Sequence, residues 1–78
     1  MARVRYFAAA EEATGIAEEV RGERTLEELR AALREDYPKL ASILPRCAVL
    51  VAGSRREDPA TTLDADTVVD VLPPFAGG

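Results

Sequence analysis

The feature that most constrains this chain is a helical signature running from Thr25 to Tyr37. Thr25-Leu26-Glu27-Glu28 has the form of a capping box, with Thr25 as N-cap and Glu28 reaching back to the free end of the helix. Leu26, Leu29, Leu33 and Tyr37 then recur at three- and four-residue spacing, which puts them on one face of a helix. Pro38 disfavours helical geometry at the residue before it, so the helix is predicted to stop at Tyr37. Residues 39–44 have room for one further short turn before Pro45. A helix with one apolar face must bury that face against another element, and the rest of the chain reads as strands.

Arg3-Val4-Arg5-Tyr6-Phe7 alternates polar and apolar, the pattern of a half-buried strand, with Val4 and Tyr6 toward the core and Arg5 and Phe7 pointing away. Residues 8–15 are expected to be a connection with Gly15 as turn residue. Residues 16–22 are expected to form a second strand, hairpinned to the first, with Val20 as its best core residue. The apolar run Cys47 to Ala52 suits a central strand, Gly53-Ser54 a turn, and Arg55-Arg56-Glu57 a short edge segment. Leu63-Asp64-Ala65-Asp66 reads as a turn into a last strand, Thr67 to Leu72, rich in β-branched residues. Pro73 and Pro74 end it, since neither can donate to a ladder. The order strand, strand, helix, strand, short strand, strand predicts an α+β chain of the β-grasp, ubiquitin-like kind. It would have a mixed sheet of about five strands and one main helix across one face. A ferredoxin-like split arrangement is compatible with the same pattern.

The 78 residues suffice for one domain, and a hydrophobic share of 47% fits an ordered globular chain. No apolar run approaches the roughly 20 residues of a membrane span, and no charged n-region followed by an apolar segment opens the chain. Neither a membrane association nor a signal peptide is therefore expected. Cys47 is the only cysteine and histidine is absent, so an internal disulfide and an iron–sulfur cluster are excluded and a metal site would need carboxylates alone. The missing histidine also removes the commonest general base, which argues against catalysis within the chain. A reducing cytoplasm is the expected location. Asp plus Glu number 14 against 10 Lys plus Arg, and the net charge of −4 disfavours nucleic acid. It suits either a basic protein partner or plain solubility. Cys47, at the head of an apolar strand, reads as structural; Arg55-Arg56, Glu11-Glu12 and Glu18-Glu19 read as surface charge.

The division expected is a domain over residues 1–72 and a projecting tail over 73–78, Pro73-Pro74-Phe75-Ala76-Gly77-Gly78. Fully extended, these six residues reach about 20 Å, and two prolines favour stiff, extended geometry. Gly77 and Gly78 carry no side chains and could thread a narrow slot in another protein. The α-carboxylate of Gly78 could then be adenylated. A sulfur nucleophile displacing AMP would leave a thiocarboxylate, with no Cβ crowding the attacked carbonyl.

Three segments carry a resemblance to a known family. Val4-Arg5-Tyr6-Phe7-Ala8 with Gly15 resembles its first strand and turn, and Leu63 to Val68 resembles its turn into the last strand. Leu72-Pro73-Pro74-Phe75-Ala76-Gly77-Gly78 closely resembles its terminal signature. The family is the small subunit of molybdopterin synthase, a ubiquitin-like sulfur carrier, and the similarity covers nearly the whole chain. The resemblance implies that an adenylating enzyme of the ubiquitin-activating type uses ATP on Gly78. A sulfurtransferase or cysteine desulfurase then supplies sulfur, and the thiocarboxylated tail enters the large synthase subunit to donate sulfur to a pterin precursor. It also implies that the chain binds no cofactor of its own and is a co-substrate rather than an enzyme. Phe7, Leu72, Pro73, Pro74, Phe75 and Ala76 are the expected docking residues. The chain departs from the family's frequent Asn-containing turn after the central strand, having Ala52-Gly53-Ser54-Arg55 there. Sulfur carriage for thiamine, cysteine or a secondary metabolite would use the same tail chemistry. A protein modifier that conjugates through Gly78 to lysines is the other reading of such an end, and Lys39 is the only lysine here.

Overall fold

The computed structural model describes residues 1–74. Strand β1 is Ala2–Tyr6, helix α1 Ala9–Thr14, strand β2 Glu18–Arg21, and the main helix α2 Leu26–Asp36. A short helix α3, Pro38–Ala41, and a 3-10 turn, Leu44–Arg46, lead to β3, Ala48–Val51; β4 is Ser54–Arg55 and β5 Val68–Leu72. The five strands form one mixed sheet in the order β2-β1-β5-β3-β4. β1 and β5 run parallel at its middle, and the remaining pairs are antiparallel. This is the β-grasp arrangement: sequence neighbours form the flanks, and the last strand enters the gap between β1 and β3.

One face of the sheet is apolar because each strand alternates. Ala2, Val4 and Tyr6 of β1, Val49 and Val51 of β3, and Val69 and Val71 of β5 are buried in one cluster with Leu26, Leu29 and Leu33 of α2. Leu40, Leu44 and Leu63 close its ends. Full burial of each such aliphatic side chain contributes about 1.5–3 kcal/mol. The helix starts where its cap dictates: the Glu28 amide donates to Thr25 Oγ1 at 3.2 Å, and the Glu28 carboxylate accepts from the Arg24 amide at 3.1 Å. It stops at Asp36, directly before Tyr37-Pro38.

Two expectations are corrected. The stretch 8–15 is not a plain connection, because Ala9–Thr14 coils into α1. Ala and Glu are good helix formers, and Glu11 and Glu12 complement the positive end of the helix dipole in its first turn. Gly15, at φ 80, caps α1 by donating its N–H to the Glu11 carbonyl. Val20 is not a core residue, being 52% exposed. The β1–β2 register pairs Val4 with Glu19 and Arg3 with Val20, so Val20 lies on the helix-free face.

The core-side positions of β2 are therefore charged, and a polar cluster at the sheet edge accommodates them. Tyr6 and Tyr37 both donate their hydroxyls to Glu19 Oε2. Arg21 bonds both Glu23 oxygens, at 2.9 and 3.1 Å, and Asp36 at 2.8 Å. Burial, and then the hydrogen bond to Glu19, hold the Tyr6 phenol above its ordinary range. The Arg21 guanidinium holds the Glu23 carboxyl below its usual range.

The β3–β4 connection is a two-residue hairpin loop in which Ala52 has φ 52 and Gly53 φ 82. Left-handed geometry at both central positions is the type I′ turn, for which Asn-Gly is the favoured pair. Glycine adopts it freely, whereas alanine in this region costs about 1–2 kcal/mol. Ala52→Asn should therefore stabilise the domain by about 1 kcal/mol, a rise in Tm of about 4–8 °C for a chain of this size. An unchanged or lower melting temperature would count against this turn assignment.

Candidate functional site

The end of β5 is where the sequence places the chemistry, and its surroundings are fixed by two registers. In the parallel β1–β5 pair Tyr6 lies opposite Val71, and the Phe7 amide extends the ladder by donating to the Val71 carbonyl at 3.2 Å. In the antiparallel β3–β5 pair Ala48 lies opposite Leu72. Alternation then turns Phe7, Leu72 and Ala48 to the helix-free face, on neighbouring strands at the end where β5 stops. Phe7 is 37% exposed and Leu72 half-buried. Pro73 is buried and Pro74 exposed. Phe75, Ala76, Gly77 and Gly78 lie outside the described residues.

Beside this patch is an ion pair that the strand patterns did not single out. Asp70, at the centre of β5 and only 8% exposed, accepts from Arg5 Nε at 2.6 Å and from Arg5 Nη2 at 2.9 Å. Burying a carboxylate on an interior strand requires such a partner. The Asp70 hydrogen bond and charge in turn raise the Arg5 pKa. The Arg5 guanidinium also lies 5.7 Å from the Phe7 ring centroid, within cation–π range. Arg5 thus joins the buried carboxylate to the exposed aromatic ring. The available signal was the alternation: Arg5 in β1 and Asp70 in β5 both occupy outward positions of interior strands.

Cys47 follows the 3-10 turn and is almost wholly buried; its thiol donates to the Ile43 carbonyl at 3.4 Å. Burial pushes its pKa up, against a smaller opposing effect from Arg30, and so disfavours the nucleophilic thiolate. Among the described residues no group of three or more His, Cys, Asp or Glu side chains is placed to hold a metal ion. No helix among them is long and apolar enough to cross a membrane.

A parallel β1–β5 core with a helix across one face and a C-terminal extension beyond β5 defines the ubiquitin-like class of small β-grasp proteins. The model of the ThiS family matches residues 4–78, and the chain belongs to that family, of ubiquitin-like sulfur carrier type. Comparison with curated proteins returns no match. Among solved structures, the chain is similar to one from Helicobacter pylori 26695, a protein–protein complex of subunits 1 and 2 of molybdopterin-converting factor. The identity is 28% and the TM-score 0.77, over 99% of this chain and 97% of that one. It has the same fold as small archaeal modifier protein 1 from Methanosarcina acetivorans (22% identity, TM-score 0.84, 99% and 95% covered). It shares that fold also with SAMP1 from Haloferax volcanii (23% identity, TM-score 0.77, 99% and 98% covered).

Cys47→Ser replaces a buried thiol by a hydroxyl and should lower stability by about 1–3 kcal/mol. With the thiol held protonated, alkylation of wild-type Cys47 at neutral pH should be slower than that of an exposed thiol. It should quicken only as pH rises beyond the ordinary thiol range. Rapid labelling of the folded protein at pH 7 would contradict the burial assigned to this side chain.

Proposed function

We propose that the chain carries sulfur as a thiocarboxylate on Gly78 and delivers it, bound to the large subunit of molybdopterin synthase, to a pterin precursor. The observation that carries this reading is the apolar patch of Phe7 and Leu72 at the end of β5, directly where the Pro73-to-Gly78 segment begins. A partner gripping the patch would have the final residues within reach of its own active site, at most about 20 Å away along an extended chain. The solved complex of subunits 1 and 2 of molybdopterin-converting factor, of which one chain resembles this one at 28% identity, supports a large partner of this kind. The Pro73-Pro74-Phe75 run leans toward the molybdopterin acceptor rather than thiamine, cysteine or secondary-metabolite pathways.

The chemistry needs little from the carrier. ATP on an activating enzyme of the ubiquitin-activating type converts the Gly78 carboxylate to an acyl adenylate and releases pyrophosphate. The outer sulfur of a persulfide on a sulfurtransferase or cysteine desulfurase displaces AMP to give an acyl disulfide. A second thiol attacks the donor's sulfur, forming a disulfide there and releasing the thiocarboxylate. Transfer of that sulfur to the acceptor, with water replacing it at the carbonyl, regenerates the carboxylate. The chain contributes an uncrowded carbonyl at Gly78, a slim Gly77-Gly78 end and a docking face of Phe7, Leu72, Pro74, Phe75 and Ala76. It acts as co-substrate and not as catalyst. A cytoplasmic site of action belongs to the same proposal.

Thiocarboxylated protein mixed with the large synthase subunit and precursor should yield the sulfurated pterin. The chain lacking Gly78 should melt at the same temperature yet yield none. Sulfur delivery instead to a thiazole-forming synthase, with none to the pterin, would reassign the pathway. Phe7→Ala should weaken binding to the large subunit by roughly tenfold, the factor equivalent to about 1.4 kcal/mol, while leaving the fold intact. Calorimetric titration beside a thermal melt separates the two effects. Unchanged affinity would show that docking uses another face.

A further inference from the structure

On a chain of net charge −4, positive charge is concentrated in one place. A pocket of ≈ 320 Å³ opens between α2, the 3-10 turn and β4, and its walls include Arg30, Arg34, Arg46 and Arg55 with Glu27 and Glu57. Arg30 and Arg34 stand one turn apart on α2, a like-charge i,i+4 pair that weakens a helix rather than supporting it. Arg46 comes from the 3-10 turn and Arg55 from β4, so three separate elements contribute arginines to the lining of one volume.

Outside the pocket and among the described residues, Arg24 and Arg56 are isolated exposed cations that line no cavity with other arginines, and the remaining three arginines are paired. Arg3, Arg5 and Arg21 each have a carboxylate at 2.9 Å or closer. Among the described residues, Arg30, Arg34 and Arg46 have no carboxylate oxygen within 4.0 Å, and Arg55 has only the solvent-exposed Glu57 at 3.7 Å. Four arginines against two glutamates leave the pocket with two positive charges that the fold does not compensate.

We propose that this pocket binds the phosphate group of a small phosphomonoester. A phosphomonoester carries about −1.5 to −2 charges at neutral pH, which matches the local excess, whereas a single carboxylate would neutralise only half of it. The planar fork of arginine pairs with phosphate oxygens through two parallel hydrogen bonds, and three elements supply such forks here. The volume accommodates a phosphate alone or one bearing a single small organic group, being at the lower end of the range for small-molecule sites. The pocket shares no residue with the Phe7–Leu72 patch, so a ligand there is compatible with partner docking and the site stands apart from the sulfur-carrier reading.

The test is nitrogen-edited NMR titration of the full chain with inorganic phosphate, AMP, adenosine and acetate, each at constant ionic strength. Phosphate or AMP should give saturable shifts centred on Arg30, Arg34, Arg46 and Arg55, and adenosine none. Equal affinity for phosphate and AMP assigns the site to the phosphate alone, tighter AMP binding to a mononucleotide, and both uphold the proposal. The double variant Arg34→Gln, Arg46→Gln alters two exposed side chains and should melt like the parent, yet lose at least tenfold in affinity. Arg24→Gln, an exposed arginine outside the pocket, should leave affinity unchanged. Shifts that fail to saturate, shifts equally strong at Arg24 and Lys39, an undiminished affinity in the double variant, or acetate binding as tight as phosphate would each overturn it.

Discussion

The parallel pairing of β1 with β5 is the contact on which the rest of this structure depends. It joins the two ends of the chain, with Val4 opposite Val69 and Tyr6 opposite Val71, and places β5 between β1 and β3. Pairing so distant in sequence is entropically costly to close, so it needs contacts that offset that cost and contacts that fix its register. On one face the aliphatic layer packed on α2 offsets the cost. On the other is the Arg5–Asp70 pair, in which a nearly buried carboxylate is held by two bonds from the neighbouring strand. A half-exposed pair of this kind adds little net stability. Its consequence is register: a slip of one residue would turn Asp70 into the apolar layer and Val71 out of it. The same register sets Phe7 beside Leu72, so the proposed docking patch follows from the constraint that closes the fold.

Much of this was legible in the residues. The cap at Thr25, the leucine stripe of α2 and the stop before Pro38 are local signals, and local geometry satisfies them. The alternation of β1 and of Val68–Leu72 identified the inward residues because each of those strands has one apolar and one mixed face. The β2 segment misled for a physical reason. Its single aliphatic residue, Val20, invites a core assignment, yet as an edge strand it can turn Glu19 and Arg21 toward the helix side, where Tyr6, Tyr37, Glu23 and Asp36 compensate them. Helix α1 was hidden because alanine, threonine and glutamate do not mark an apolar face over so short a span. The Arg5–Asp70 pair and the arginine pocket are products of tertiary assembly. Their members lie 65 positions apart in the first case and on three elements in the second, and no spacing rule connects them.

In the proposed role the domain, its one thiol buried and driven toward the protonated form, leaves the chemistry to its partners. It supplies rigidity instead: a small sheet clamped by one helix, an exposed aromatic ring steadied by Arg5, and a strand that ends at a buried Pro73. The proposed carrier role needs little more, because activation and transfer would fall to its partners. The ThiS family membership supports a carrier role, and the Phe7–Leu72 patch is the docking face proposed for it.

The central claim is that the sulfur rides on the last residue and on no side chain. Fragmentation mass spectrometry of the intact chain, after incubation with ATP, its activating enzyme and a sulfur donor, tests this most directly. The account predicts replacement of one oxygen by sulfur, confined to C-terminal fragments that contain Gly78 and absent from every fragment containing Cys47 alone. Sulfur found on Cys47, with an unmodified Gly78 carboxylate, would contradict it.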